Sequence, residues 1–207
     1  SPIIGSNGRS CGRYCARGGV VNDRIYIGFG ANCESGWTRS MVRYNVADNN
    51  WSVMRDGNWG QREHATAVVG DWIYFMGGNT SGAPGGDPHP NDNIQRYNVP
   101  NNSWENWRDT PNRRGNAHAV GGPDGRLYYV NGTERHNLAC PCPTDGYAFD
   151  FQRNEWVRIA NTPRGGFYAG HAVVNGTHWI LSSGEGRDRE VHMFKFPGST
   201  MWLYEKN

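Results

Sequence analysis

Three histidines stand at the start of similar short apolar runs and are the first candidates for chemistry in this sequence. His64, His118 and His171 are each followed by Ala and then by Val or Thr, whereas the first copy of the run has Gly18 at the corresponding place. Imidazoles that converge can bind a metal ion or an anion, because the neutral ring offers both a lone pair and an N–H. On sequence alone we favour the alternative that they are hydrogen-bonded framework residues.

Arginines recur shortly before these runs, at Arg62, Arg113, Arg114 and Arg164. A guanidinium can bind a carboxylate or a sulfate through paired hydrogen bonds, so these residues are candidates for an anion site. The same side chains can instead bridge neighbouring structural units. The sequence favours the bridging role.

One loop concentrates oxygen ligands. It includes Asp87, His89 and Asp92 among Pro and Asn residues, and oxygen-rich loops of this kind can hold Ca²⁺. The spacing matches no EF-hand, so a solvated, proline-stiffened loop is the favoured expectation. We therefore expect no cofactor, with Ca²⁺ or another metal as the alternative.

Cysteines and glycosylation signals both indicate an extracellular, secreted protein. The five cysteines are Cys11, Cys15, Cys33, Cys140 and Cys142. The odd number leaves at least one thiol free or paired with another chain, and we expect Cys11 or Cys15 to pair with Cys33. The five Asn-x-Ser/Thr sequons, candidates for N-glycosylation, are at Asn50, Asn79, Asn101, Asn131 and Asn175.

Composition excludes two classes of partner. The net charge is only +2 and the arginines are scattered, which predicts no nucleic-acid partner. No stretch approaches 18 uncharged apolar residues, so no membrane span is expected. Aromatic residues make up 13% of the chain and there are 29 glycines, a mixture typical of short strands joined by tight turns.

An internal repeat organises these residues. The tryptophans Trp51, Trp104, Trp156 and Trp202 are separated by 53, 52 and 46 residues, and each follows a short aromatic strand. Each copy also contains the Ala/Val run, a polar turn and a second strand that ends at glycine. Four short strands form a sheet that must pack against copies of itself, which predicts a β-propeller.

The repeat resembles the kelch family. The matching residues are Arg62, Val68-Val69, Ile73-Tyr74, Gly77-Gly78, Tyr97 and Trp104. The resemblance implies an all-β domain over residues 1–207, a β-propeller of four four-stranded antiparallel blades spanning approximately 1–57, 58–109, 110–161 and 162–207. It also implies that the Tyr and Trp pack between blades and carry no chemistry. A closed four-bladed ring is favoured over part of a larger ring.

A metal-binding variant of the family gives one more test. Some kelch-type plant specifier proteins use Glu-x3-Asp-x3-His to hold iron. Asp188 and His192 keep the Asp-x3-His part, but Gly184 stands where the Glu belongs. Asp188 and His192 are therefore kept as the metal candidates of an alternative, enzymatic interpretation.

The antiparallel order sorts the loops onto two faces. Connections between strands 1 and 2 and between 3 and 4 form the short-turn face; connections between strands 2 and 3 and between blades form the long-loop face. The long-loop face carries the irregular loops and all five cysteines. Trp37, Trp59 and Trp107 are additional to the repeat and could stack on sugars or a protein partner, although packing between blades is an equal alternative.

These features favour a secreted, non-enzymatic kelch propeller that binds protein or glycan, or copies of itself, through the long-loop face. The alternatives are a metal-dependent kelch enzyme using iron or copper, with Asp188 and His192 or the channel histidines as ligands, and a fragment of a larger propeller.

Overall fold

The computed structural model describes residues 12–32, 36–84, 86, 90–135, 142–167, 170–176, 178–182, 190–196 and 201–205. All the secondary-structure elements that these residues form are β-strands, which confirms the all-β prediction. In this part of the chain there is no helix long and apolar enough to cross a membrane.

The described residues form twenty strands. In chain order they are β1 (Arg13–Tyr14), β2 (Arg17–Val21), β3 (Arg24–Gly28), β4 (Ala31–Asn32), β5 (Gly36–Trp37), β6 (Met41–Asn45), β7 (Asn50–Met54), β8 (Gly60–Arg62), β9 (Ala65–Val69), β10 (Trp72–Ser81), β11 (Asn91–Asn98), β12 (Ser103–Asp109), β13 (His118–Gly121), β14 (Leu127–Val130), β15 (Gly146–Asp150), β16 (Glu155–Ile159), β17 (His171–Val174), β18 (His178–Ser182), β19 (Glu190–Lys195) and β20 (Met201–Glu205).

Four antiparallel sheets, here called blades one to four, contain most of these strands. Blade one has the order β2-β3-β6-β7, blade three β13-β14-β15-β16 and blade four β17-β18-β19-β20. Blade two has the order β9-β10-β11-β12, with β8 added beside the far end of β10. Each blade is a meander in which consecutive strands pair, as the repeat predicts.

The aromatic pairs of the repeat lie directly opposite each other in three blades. Tyr44 pairs with Trp51, Tyr97 with Trp104, and Phe149 with Trp156. In blade four the pairing differs, because the connection holds one more residue. Met201 lies opposite Phe194, and Trp202 lies opposite Met193. A shift of one residue moves a position to the other side of a sheet, so Trp202 is not the equivalent of the other three tryptophans.

Hydrophobic clusters join each blade to the next. The cluster between blades one and two includes Tyr26, Phe75 and Tyr97, with Trp104 packed against it. Two further clusters join blade two to blade three and blade three to blade four. Indole N–H groups add hydrogen bonds between blades: Nε1 of Trp104 donates to the carbonyl of Arg55 at 2.8 Å, and Trp156 donates to Asp109 at 3.0 Å. Tyr97, Trp104 and Trp156 therefore pack between blades, as the resemblance implies, whereas Trp51 of blade one is 38% exposed.

The diglycine of blade two has a conformational role. The sequence predicts that the second strand ends there, but β10 continues through Gly77 and Gly78 to pair with β8. Both glycines have positive φ, +61° and +78°, and a Cβ at Gly78 would lie 2.4 Å from the carbonyl oxygen of Arg62. Only glycine permits that approach at that φ. The equivalent pairs Phe29–Gly30 and Asn131–Gly132 keep positive φ at both positions, so the second glycine is the essential one.

A small sheet lies on the long-loop face of blade one. Strands β1, β4 and β5 pair in the order β1-β4-β5, within a region that the sequence predicts as an irregular loop. Arg13 on β1 donates from Nη1 to the carbonyl of Ser40 at 2.8 Å. This bond ties β1 to the residue directly before β6.

Candidate functional site at the channel mouth

The three histidines lie where the innermost strands begin, at the end nearer the long-loop face. β13 begins at His118, opposite Val130, and β17 begins at His171, opposite Leu181. His64 comes one residue before β9. Because the turns between the first and second strands differ in length, the histidines occupy three successive register positions. They are not equivalent, although their sequence context is the same.

The blade-one residue that matches His118 is Arg17, not Gly18. Arg17 pairs with Gly28 at the position where His118 pairs with Val130. Its guanidinium lowers the pKa of His64, His118 and His171, so it is close enough to act on all three rings. Arg17, His64, His118 and His171 are called the channel mouth below.

The imidazoles of the channel mouth are neutral at pH 7. Burial lowers the pKa of His64 to about 3, and Arg17 adds to that effect. Burial likewise lowers the pKa of His118 to about 3, with smaller contributions from His171 and Arg17. Burial and Arg17 together lower the pKa of His171 to about 4. Arg17 therefore provides the positive charge of the site.

Hydrogen bonding distinguishes His171 from the other two. Its Nδ1 accepts a hydrogen bond from Nε1 of Trp179 at 3.1 Å, as expected for a framework histidine. His64 and His118 are fully buried, and within the described part of the chain no hydrogen-bond partner lies beside either nitrogen of either ring. Buried polar groups are normally satisfied, so these nitrogens are open to a water or a ligand, while the His64 ring packs against Phe29 and Phe75.

The site is open on one side. His171 is half-buried, its ring centre 5.1 Å from that of His118, and the neighbouring Ala172 is exposed. Arg17 is half-buried and Gly18 is exposed. Arg17 and His171 are therefore the more accessible members of the channel mouth, and His118 and His64 are buried.

A constrained turn positions His64. Glu63, directly before it, has a φ of +56° although it is not glycine, and its carboxylate accepts a hydrogen bond from Asn79 Nδ2 at 2.7 Å. The carbonyl of Glu63 also accepts from the backbone N–H of Asn116 at 2.6 Å, which ties blade two to blade three. Left-handed backbone at a non-glycine residue costs about 1–3 kcal/mol and persists where surrounding structure enforces it.

Cys15 lies beside this turn and is a free thiol, so it is not one of the predicted disulfide partners. Burial raises the pKa of the Cys15 thiol, and the nearby Glu63 carboxylate raises it further. Cys142 is disulfide-bonded. The remaining disulfide candidates, Cys11, Cys33 and Cys140, lie outside the described residues.

Arg114 is a buried framework residue. Its Nη1 donates to the carbonyls of Asn131 at 3.2 Å and Asp145 at 2.9 Å, and its Nη2 contacts the Asp145 carboxylate at 2.5 Å. These contacts tie the start of blade three to the start of its third strand. They occupy the guanidinium that the sequence offered for anion binding.

The other predicted arginines are more accessible. Arg113 is exposed and pairs through Nε with Asp92 at 3.3 Å, bridging blades two and three as predicted. Arg62 lies 4.8 Å above the ring of Trp37. Arg164 is exposed. None of these three guanidiniums is among those that act on the channel-mouth histidines.

The extra tryptophans have packing roles. Trp107 contacts Tyr74 and Phe149 with ring centres 5.1 Å and 4.7 Å away, which places it between blades two and three. Trp59 is buried. Trp37 is half-buried beneath Arg62.

The metal candidates are not assembled in the described residues. Asp87, His89 and Asp188 lie outside those residues, and Asp92 is held by Arg113. His192 is buried on β19. Across the described ranges, no group of three or more His, Cys, Asp or Glu side chains could hold a metal ion.

The sequons divide into two groups. Asn50, Asn101 and Asn175 are exposed on the short-turn face. Asn79 and Asn131 are only 3% and 2% exposed, and the amide nitrogen of Asn79 is bonded to Glu63. A glycan on either buried amide is incompatible with this fold.

Two open depressions lie away from the channel mouth. One of about 450 Å³ lies on the short turns of blade three, where Arg126 pairs with Asp150 at 2.9 Å. The other, of about 750 Å³, lies between blades one and two beside Trp104. Neither contains a buried polar group without a partner, so the channel mouth is the stronger candidate.

Comparison with known proteins agrees with this architecture. No protein-family model matches the chain. A curated relative, N-acetylneuraminate epimerase from Vibrio cholerae, is 31% identical over 96 residues, which cover 45% of this chain and 24% of the relative. The solved structure of YjhT superposes with a TM-score of 0.75 at 17% identity, covering 93% of this chain and 65% of that one. The chain thus spans about a quarter of the curated relative and under two thirds of the solved structure. These likenesses support a kelch-like β-propeller.

Proposed function

We propose that this propeller binds a carboxylated sugar at the channel mouth, with Arg17 and His171 as the contact residues. The observation that carries the proposal is the group of three imidazoles, with the rings of His118 and His171 5.1 Å apart and two rings buried with unsatisfied nitrogens, on all of which the charge of Arg17 acts. The site lies at the long-loop end of the channel, where the sequence favours binding.

The tautomer of His171 makes it a suitable donor. Because Nδ1 accepts from Trp179, the ring proton of the neutral imidazole is on Nε2. An Nε2–H and a guanidinium together can hold the two oxygens of a carboxylate through charge-assisted hydrogen bonds.

The comparison supports this class of ligand. The curated relative is named for N-acetylneuraminate, which is a sugar that carries a carboxylate. The matched region is a quarter of that protein, so its name guides only the choice of N-acetylneuraminate as the ligand to test.

Acid–base catalysis on the same ligand is a second candidate, favoured by Glu63. Its carboxylate is buried on a constrained backbone next to His64, and a carboxylate beside an imidazole can take part in proton transfer. NMR of N-acetylneuraminate tests it. Faster epimerisation with the protein, lost in Glu63→Gln, supports catalysis; epimerisation at the uncatalysed rate removes this candidate and leaves binding alone.

Secretion belongs to the same proposal, supported by the three exposed sequons. Expression in a glycosylating secretory host with mass spectrometry tests it. Glycans at Asn50, Asn101 or Asn175 support it, and an intact chain secreted without any glycan argues against it.

Isothermal titration calorimetry tests the binding itself. We expect N-acetylneuraminate to bind and its methyl ester, which lacks the charge, to bind about 10- to 100-fold more weakly. Arg17→Gln should lose affinity for the acid by a similar factor. Arg153→Gln, on the short-turn face, is the matched control and should bind like wild type. Equal affinity for acid and ester, or no effect of Arg17→Gln, would contradict the proposal.

A further inference from the structure

The sequence Asn-Gly-Thr occurs twice in this chain, beginning at Asn131 and at Asn175. The two copies also share a backbone feature, because Asn and Gly both have positive φ in each. The φ values are +58° and +92° at Asn131 and Gly132, and +53° and +63° at Asn175 and Gly176. A difference in reactivity between the copies would therefore come from their surroundings.

An asparagine followed by glycine can react with its own backbone. The glycine nitrogen attacks the side-chain carbonyl carbon Cγ, and a new C–N bond forms as the bond from Cγ to the amide nitrogen breaks. The amide nitrogen leaves as ammonia, taking the proton of the glycine N–H, and a five-membered succinimide remains. Water then opens this ring at one of its two carbonyl carbons, which gives aspartate or isoaspartate. Glycine favours the first step, since it has no Cβ to obstruct the approach.

The surroundings of Asn131 hold both reacting groups in place. Its side-chain oxygen accepts a hydrogen bond from Oγ1 of Thr162 at 2.8 Å, and its backbone carbonyl accepts from Arg114 at 3.2 Å. The N–H of Gly132, which would have to attack, donates to the carbonyl of Gly166 at 2.7 Å. Asn131 is also only 2% exposed, so water is kept away. Reaction there requires local opening of the fold.

The surroundings of Asn175 are different in each respect. Asn175 and Gly176 are both exposed, in the short turn that joins β17 to β18. Within the described part of the chain, neither the side chain of Asn175 nor the N–H of Gly176 is hydrogen-bonded. A Cβ placed at Gly176 would meet nothing within 4 Å, so the space around the turn is open. The side chain and the glycine nitrogen are thus free to rotate toward each other in the presence of water.

We propose that Asn175 is a site of spontaneous modification, where the folded chain converts to aspartate and isoaspartate through a succinimide with Gly176. Isoaspartate adds one atom to the main chain within the turn between β17 and β18. That hairpin holds His171 opposite Leu181, so the change falls on the element that positions a channel-mouth residue. A glycan on Asn175 would occupy the nitrogen that has to leave, so modification and glycosylation exclude each other at this position.

Peptide mapping by mass spectrometry tests the proposal on unglycosylated chain from a bacterial host, incubated near neutral pH. Asn175 should convert from amide to acid, and its two acid products should separate by chromatography. Asn131 should convert at least about 10-fold more slowly, because it reacts only from a locally opened state. In urea, the two copies should convert at similar rates, since they share the same sequence. Asn175→Gln is the control and should remove both products from its peptide.

Three results would overturn the proposal. Equal rates for the two asparagines in the folded chain would show that the surroundings do not decide the reaction. A folded chain in which Asn175 remains an amide while the chain in urea converts would show that the turn protects it. Conversion to aspartate alone would exclude the succinimide, because opening of the ring yields both acids.

Discussion

Trp179 donates its indole Nε1–H to Nδ1 of His171 across 3.1 Å. This bond fixes the tautomer of His171 and opposes protonation at Nδ1. It therefore couples a buried core residue of blade four to the exposed side of the channel mouth.

Replacing Trp179 by Phe should raise the pKa of His171 above its present value of about 4, because the donor that opposes protonation is lost. NMR titration of the imidazole measures the change. The pKa of His64, on the other side of the channel, serves as the internal control and should stay near 3. A His171 pKa that is unchanged in the variant would show that burial and Arg17 alone set it.

The channel-mouth histidines should make the fold sensitive to mild acid. Their folded pKa values of about 3 to 4 lie below the unfolded value of about 6.5, so the unfolded chain binds more protons as pH falls through that interval. Stability is thus complete above pH 6.5 and declines below it. Each histidine should cost about 2 kcal/mol between pH 7 and pH 5.

Urea unfolding of wild type and His118→Phe at pH 7 and pH 5 measures this loss. The variant should lose less stability than wild type over the same interval, by about one histidine's share. Equal losses in the two proteins would mean that His118 has the same pKa in the folded and the unfolded state.

Gly78 should tolerate no side chain. Alanine there meets the carbonyl oxygen of Arg62 at 2.4 Å and the amide nitrogen of His64 at 2.7 Å, at a φ of +78°. We expect Gly78→Ala to lower the free energy of unfolding by about 2–4 kcal/mol. Gly70→Ala is the control, since its φ is +57° with nothing within 4 Å, and it should cost about 1 kcal/mol. Similar losses at both positions would show that the close approach to the carbonyl oxygen of Arg62 is not the reason why position 78 requires glycine.

Trp104 should contribute more to stability than Trp51, although both hold the same place in the repeat. Trp104 packs between blades and donates to the Arg55 carbonyl at 2.8 Å, whereas Trp51 is 38% exposed. Trp104→Phe should cost about 1–2 kcal/mol in denaturant unfolding, and Trp51→Phe less than about half that at low protein concentration. A larger loss at Trp51 would contradict the assignment of blade interfaces.

The repeat could be predicted from the sequence because its strongest signals are local. Tyr97 and Trp104 face each other across a short hairpin, so their spacing of seven residues records the register directly. In blade four the spacing from Phe194 to Trp202 is eight, and the additional residue puts Met201 in the paired position, as that spacing indicates.

The channel mouth was only partly readable. The shared His-Ala context suggested three equivalent histidines, but turn length sets the register and the turns differ. For the same reason Arg17 was missed, since the sequence comparison placed Gly18 there. Arg17 is matched to His118 only through the pairing with the second strand, Arg17 with Gly28 and His118 with Val130. The lack of hydrogen-bond partners for the ring nitrogens of His64 results from tertiary packing, which a local sequence pattern does not encode.

The most direct test of the channel-mouth proposal is the imidazole ¹⁵N NMR spectrum of the protein during titration with N-acetylneuraminate. We predict that Nε2 of His171 shifts as the acid is added, and that the methyl ester leaves it in place. An Nε2 resonance that does not respond to the acid, at concentrations where calorimetry shows binding, would place the ligand elsewhere and contradict the account.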